Sequence, residues 1–167
     1  VNVAATGSFA DKNVGLGKTV NLSSSYSGAD AGNYLITDQA TATAEITRAN
    51  LQITGVTAFS KIYDATRTAT LAGTATAVGL GSDVVSATGT GVGTFADKNV
   101  GTAKPVTVTG YTLTGTDAGN YTALQPVGVT ADITAKPVTA MSMIASSKVY
   151  DGTTTASLSG GVLVGVI

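Results

Sequence analysis

The stretch Thr41-Ala42-Thr43-Ala44-Glu45-Ile46-Thr47 alternates strictly, with Ala42, Ala44 and Ile46 on one face and the threonines and Glu45 on the other. A period of two marks a strand with one covered face and one wet face. Val127, Val129, Ala131 and Ile133 repeat the pattern, with Thr130, Asp132 and Thr134 turned outward. Val20 and Leu22 match Val106 and Val108 in the same way. Half-solvated strands of this kind belong in antiparallel sheets, because buried parallel strands read as continuous apolar runs. Thr, Val and Ile fill 55 of the 167 positions, and their β-branched side chains suit a pleated face better than a helix.

Outward from these strands, the chain repeats itself. Phe9-Ala10-Asp11-Lys12-Asn13-Val14-Gly15 returns as Phe95-Ala96-Asp97-Lys98-Asn99-Val100-Gly101, an offset of 86. Asp30-Ala31-Gly32-Asn33-Tyr34 returns as Asp117-Ala118-Gly119-Asn120-Tyr121, and Lys61-Ile62-Tyr63-Asp64 as Lys148-Val149-Tyr150-Asp151, both at 87. One residue is therefore inserted between Val108 and Gly115 in the second copy. Residues 28–80 and 115–167 share 20 identities in 53 pairs, which chance does not produce. The period is too long for a solenoid unit and fits a small domain.

Two frames divide this array. The strand closing at Ala135 before the stiff pair Lys136-Pro137 predicts residues 1–48 as the end of one repeat, 49–135 as a complete repeat and 136–167 as the start of a third. The alternative frame, 1–84 and 85–167, gives two permuted units that each retain more of a core. The chain opens at Val1 with no Met and no signal-like stretch, so it is expected to be a piece of a longer array.

Composition excludes several function classes. There is no Cys, His or Trp, so the usual nucleophilic dyads and soft-metal sites have no residues to build them. A net charge of -1 gives nothing to hold a polyanion, so nucleic acid is not expected as a partner. Apolar runs are only a few residues long, too short for a membrane-spanning helix. Gly, Thr and Ala make up 75 of 167 positions, and charged residues only 11%, so the chain is neither a charged disordered tail nor an ordinary enzyme domain. Glu45 and its counterpart Asp132 face outward in different copies and make no acid–base pair.

Asp-Gly at Asp151 and the Asp-Ala-Gly-Asn-Tyr motifs read as turns between short strands, with Tyr34 or Tyr121 opening the next strand. The expected fold is all-β, a tandem of small antiparallel, immunoglobulin-like β-sandwich domains. Large side chains are few, so those that recur are expected to anchor each small core: Phe9 and Phe95, Tyr34 and Tyr121, Tyr63 and Tyr150, with Asp64 and Asp151 holding the turns. Asp11, Asp30, Asp97, Asp117, Asn33 and Asn120 have the oxygen chemistry of hard-cation ligands, but their spacing matches no calcium loop and they read better as turn caps. The recurring Lys12, Lys98, Lys61 and Lys148 read as surface residues that block edge pairing or bridge to the neighbouring Asp.

These motifs carry a resemblance. Lys148-Val149-Tyr150-Asp151-Gly152-Thr153-Thr154-Thr155-Ala156 resembles the signature of the YDG repeat domain. The Phe95, Gly110-Tyr111-Thr112-Leu113, Asp117 and Ala131-Asp132-Ile133-Thr134-Ala135-Lys136-Pro137 segments resemble the rest of that repeat in order. The resemblance implies tandem modules of large, exported, bacterial proteins similar to filamentous haemagglutinin, and implies no catalytic residue and no cofactor. The first copy departs from the signature, with Ala65 for Gly152 and Arg67 for Thr154, which weakens the expectation of the same turn at Asp64. The expected role is a non-catalytic stalk at a bacterial surface or outside the cell, with neighbouring repeats as partners. The alternative is weak, multivalent binding of a glycan or a surface protein by the repeats themselves.

Overall fold

The computed structural model describes every residue from Val1 to Ile167. The fold is all-β: strands cover more than half of the chain, and two single-turn 3-10 segments are its only helical elements. No helix is long and apolar enough to cross a membrane. The chain forms two compact units. One comprises Val1–Thr54, Ala75–Thr90 and Tyr111–Gln125, the other Gly55–Thr74, Gly91–Gly110 and Pro126–Ile167.

In the first unit, β1 (Asn2–Phe9), β2 (Gly15–Ser27) and β3 (Thr41–Ile46) form an antiparallel sheet in that order. The alternation at 41–47 is half realised, with Ala42 and Ile46 partly covered and Ala44 exposed. β4 (Ala49–Gln52) pairs with β11 (Tyr121–Leu124). A five-stranded sheet runs β6 (Lys61–Ile62), β12 (Thr130–Thr134), β10 (Gly101–Thr114), β9 (Ser86–Phe95) and β7 (Thr68–Ala69). β5 (Thr54–Ala58) pairs with β8 (Leu71–Thr76), and β13 (Thr139–Ala145) with β14 (Leu158–Val164).

Two pairings correct the antiparallel expectation: β4 with β11, and β6 with β12, are parallel. Parallel strands need a long crossover instead of a tight turn, and both pairs join segments far apart in the chain. Nothing local announces such a pairing.

Every fully buried apolar residue lies between Ile53 and Ile133. Ile53, Val85 and Tyr121 belong to the first unit. Val56, Ala69, Phe95, Val106, Val108, Val129, Ala131 and Ile133 belong to the second. Val129, Ala131 and Ile133 take the covered face expected of them, whereas Val127 is 79% exposed. The Val129 carbonyl accepts the Val106 N–H at 2.9 Å and so continues the pairing with β10, whereas Val127 lies beyond it.

The inserted residue is visible as a change of phase. In β2 the partly covered positions run 18, 20, 22, 24 and 26 without a break. In β10 the buried Val106 and Val108 are followed by half-buried Tyr111 and Leu113, a step of three instead of two. Gly110 fills that step with φ 94°, a conformation only glycine adopts cheaply. The extra residue is thus absorbed locally, and the apolar face is recovered instead of being flipped to solvent.

Candidate functional site

The recurring motifs build the same small knots in each copy. Asp64 Oδ1 accepts the Thr66 N–H (2.9 Å) and hydroxyl (2.9 Å), and Lys61 Nζ donates to Asp64 Oδ1 (2.8 Å) and to the Thr66 carbonyl (3.0 Å). Asp151, Thr153 and Lys148 repeat that arrangement, with Lys148 Nζ 2.9 Å from Asp151 Oδ1 and 2.8 Å from the Thr153 carbonyl. The Lys61 ammonium and the Thr66 amide together hold the Asp64 carboxyl at about 2, well below its ordinary value. The turn survives the loss of its glycine: Ala65 sits at φ 62° where Gly152 sits at 71°. Three donors fastened to one carboxylate, two from side chains and one from the backbone, over-determine the turn, so an alanine is carried in left-handed backbone that it disfavours.

Asp11 and Asp97 also match. Each accepts the N–H two residues on, from Asn13 (2.8 Å) and Asn99 (2.7 Å), and each pairs with a lysine seven residues on, Lys18 and Lys104. Beside them lies a second shared device, a bulge in β2 between Gly15 and Lys18 and in β10 between Gly101 and Lys104. Gly17 occupies the left-handed position of the first bulge at φ 57°, and Ala103 that of the second at φ 47°. The Ala103 N–H is captured by Asp132 Oδ1 at 2.7 Å, which gives this outward carboxylate a structural role.

One site in the first unit joins motifs from different copies. Lys12 Nζ pairs with Asp83 Oδ1 and lies 3.1 Å from Asp117 Oδ1. Asp117 Oδ2 accepts the Val84 N–H at 2.9 Å, and Asp83 Oδ2 accepts the Tyr121 hydroxyl at 2.7 Å. The Tyr121 oxygen in turn accepts the Leu80 N–H at 2.8 Å. Asn120 completes the contact: its Oδ1 accepts the Val14 N–H (3.0 Å) and its Nδ2 donates to Asn13 Oδ1 (3.2 Å). Arg48 Nε donates to the Gly119 carbonyl at 3.0 Å. The loop of the first copy is therefore fastened to the Asp-Ala-Gly-Asn-Tyr turn of the second, not to its own turn at residues 30–34.

Backbone close approach sets this site. Gly115 has φ 120°, and a Cβ there would fall 2.2 Å from the Val84 carbonyl oxygen, so only glycine lets the turn lie against residues 84 and 85. The charges then settle each other. The Lys12 ammonium and the Tyr121 hydroxyl hold the Asp83 carboxyl below its ordinary value, and the Val84 amide, then Lys12, do the same for Asp117. In return the two carboxylates push the Lys12 ammonium up, and Asp83 pushes the Tyr121 hydroxyl up. Lys12, Val14, Asp83, Asn120 and Tyr121 border an open cleft of about 450 Å³. The side chains of Lys12, Asp83, Asn120 and Tyr121 are spent on polar partners, and nowhere in the chain do three carboxylates converge.

The sequence-derived anchors part company by copy. Phe95 is fully buried, Tyr121 is 6% exposed and Tyr63 is half-buried. Phe9, Tyr34 and Tyr150 are exposed, at 39%, 63% and 93%, which corrects the expectation that they anchor cores. Tyr34 also opens no strand, unlike Tyr121. What covers Tyr121 comes from β4 and from residues 80–85, and the positions one period earlier fall before Val1. Lys12 departs from expectation as well, because it bridges to Asp83 and Asp117 and leaves the neighbouring Asp11 to Lys18. Asp83 was not legible as a partner, since it has no counterpart within the chain to mark it as recurrent.

The YDG domain family matches residues 1–44 and 47–129, and the chain belongs to that family. No curated protein and no solved structure matches it.

Proposed function

We propose that this chain is a run of non-catalytic spacer repeats from a large exported bacterial protein of the filamentous-haemagglutinin-like, adhesin type. In this reading each repeat is a small immunoglobulin-like sandwich with residues 49–135 as one complete copy. The confinement of the buried residues to the interval from Ile53 to Ile133 favours that frame. The observation that carries the role is the Lys12–Asp83–Asp117 and Asn13–Asn120 contact, in which one copy grips the next through polar groups. A spacer needs its successive modules held in a fixed relation, and needs little else.

The competing role, weak multivalent binding, calls for an aromatic patch on a repeat that has neighbours on both sides. In the middle copy Tyr121 and Phe95 are buried and Tyr63 and Tyr111 are half-buried, which leaves Phe59 as a single exposed ring where such a patch needs several. Small-angle scattering on chains of two, three and four copies tests the spacer. The maximum dimension is expected to rise by a constant step per copy. An envelope that thickens instead, or saturable binding of glycans or surface proteins that strengthens with copy number, would replace the spacer with a binding array.

A further inference from the structure

The contact between Lys12 and its acidic partners uses a loop that the chain makes twice. Lys98, Asn99 and Val100 stand where Lys12, Asn13 and Val14 stand one period earlier. The second loop is built the same way, by Asp97 accepting the Asn99 N–H at 2.7 Å and the Lys104 ammonium at 2.8 Å. Its outward groups differ in one respect. Lys12 holds two carboxylates and Val14 donates to Asn120, whereas Lys98 makes no ion pair and Val100 has no side-chain acceptor. Stepping Asp83, Asp117 and Asn120 forward by one period puts their counterparts at positions 170, 204 and 207.

The surroundings of the second loop are already arranged as those of the first. In the second unit Asn99 and Val100 border an open cleft of about 340 Å³ together with Lys136 and Ile167. Val14, Ala49 and Leu80 hold the equivalent places in the cleft of the first unit. Leu80 leads directly into Asp83, and Ile167 is its counterpart one period on. A chain continuing from Ile167 in register therefore arrives beside Asn99 and Val100, next in sequence to Lys98, with its acidic segment. The complementarity is specific: one ammonium for two carboxylates, and one backbone N–H with one side-chain amide for an asparagine.

From this geometry we infer that Lys98, Asn99 and Val100 form a docking half-joint whose occupant is a further copy of the repeat joined in series at Ile167, held through its counterparts of Asp83, Asp117 and Asn120. The inference goes beyond the spacer role and stands or falls separately from it, because a binding array needs the same joint. Appending residues 81–167 directly after Ile167 of the full chain supplies that occupant. The readout is amide hydrogen exchange at Val100, with Val14 as the internal reference. In the 167-residue chain Val14 is expected to exchange more slowly than Val100. In the extended chain Val100 should slow by about tenfold, the effect of one gained hydrogen bond. Asn120→Ala in the appended copy should return Val100 to its former rate while leaving Val14 protected. An appended copy that leaves Val100 unprotected overturns the inference, whether or not it folds. So does protection of Val100 that appears in the unextended chain as its concentration is raised, which would make the occupant a second molecule.

Discussion

Residues 28–36 and 115–124 carry the same motif and meet opposite fates. In both, Asp-Ala-Gly-Asn forms a single 3-10 turn, with Asp30 at φ -97° and ψ 4° and Asp117 at φ -102° and ψ 2°. Beyond the turn the two diverge: Tyr121 enters β11 and is buried, while Tyr34 leaves into extended chain and is exposed. The turn closes on its own backbone, with N–H to carbonyl bonds three residues apart, so five residues suffice to form it. Burial of the ring needs β4 alongside and Asp83 to satisfy its hydroxyl, and both come from far away in the chain. Motif identity therefore predicts the turn at both places, whereas the burial of Tyr121 rests on β4 and Asp83.

The largest test of this contrast is between the phenylalanines. Phe95→Ala should cost about 3–5 kcal/mol in urea unfolding, as large core truncations do, and Phe9→Ala within about 0.5 kcal/mol of nothing. Equal costs would show that both copies have cores of the same quality. Next come the tyrosines. Tyr121→Ala should lower the unfolding midpoint strongly and Tyr34→Ala leave it unmoved. Tyr121→Phe separates the lost hydroxyl, with its bonds to Asp83 and Leu80, from the lost ring.

A smaller effect is expected at the polar joint, read through Lys12→Ala against Lys98→Ala. The first should destabilise the chain at neutral pH and the second should not. Because Asp83 and Asp117 have folded-state values below their ordinary ones, their contribution is complete above the ordinary carboxylate range. It disappears as pH falls through the depressed values, so the difference between wild type and Lys12→Ala should shrink on acidification and also in high salt. The turn at Asp64 should outlast other carboxylate contacts on acidification, since that group titrates at about 2. A Lys12→Ala deficit that persists unchanged in strong acid would mean that packing of the lysine stem, not its charge, makes the joint.

The smallest effects concern backbone strain. Ala65→Gly and Ala103→Gly should each stabilise by about 1 kcal/mol, because glycine removes the left-handed penalty at φ 62° and 47°. Gly152→Ala should cost about the same, and no more, since a Cβ there meets nothing within 4 Å. Calorimetric melting of the three variants reads both signs. A destabilised Ala65→Gly would show that the methyl group packs, and that the Asp64 knot does not carry the strain alone.

Much of the chain was legible before its structure. Alternation at 127–133 marked a covered face, which the structure realises from Val129 onward, and one inserted residue announced the change of phase at Gly110. The knots around Asp64 and Asp151 were legible as turns, and Lys61 and Lys148 do bridge to the neighbouring aspartate, but the threonines that complete the knots were not legible. The joint was legible only in part. The recurring Lys12 and Asn120 were visible, but Asp83 occurs once in the chain and gave no sign of being their partner.

What the sequence determined by itself is what neighbouring residues can settle among themselves. Side-chain alternation marks a covered face without reference to the rest of the molecule. Asp11, Asp64, Asp97 and Asp151 find their amide donors two residues on, so these turns form wherever the motif stands. The tertiary structure decided what depends on distant chain: the parallel pairing of β4 with β11 and of β6 with β12, and the union of Lys12 with Asp83. It also decided which of two identical motifs buries its tyrosine. The physical reason is that turn hydrogen bonds are closed locally, whereas burial and ion pairing take their free energy from surfaces brought together by the whole fold.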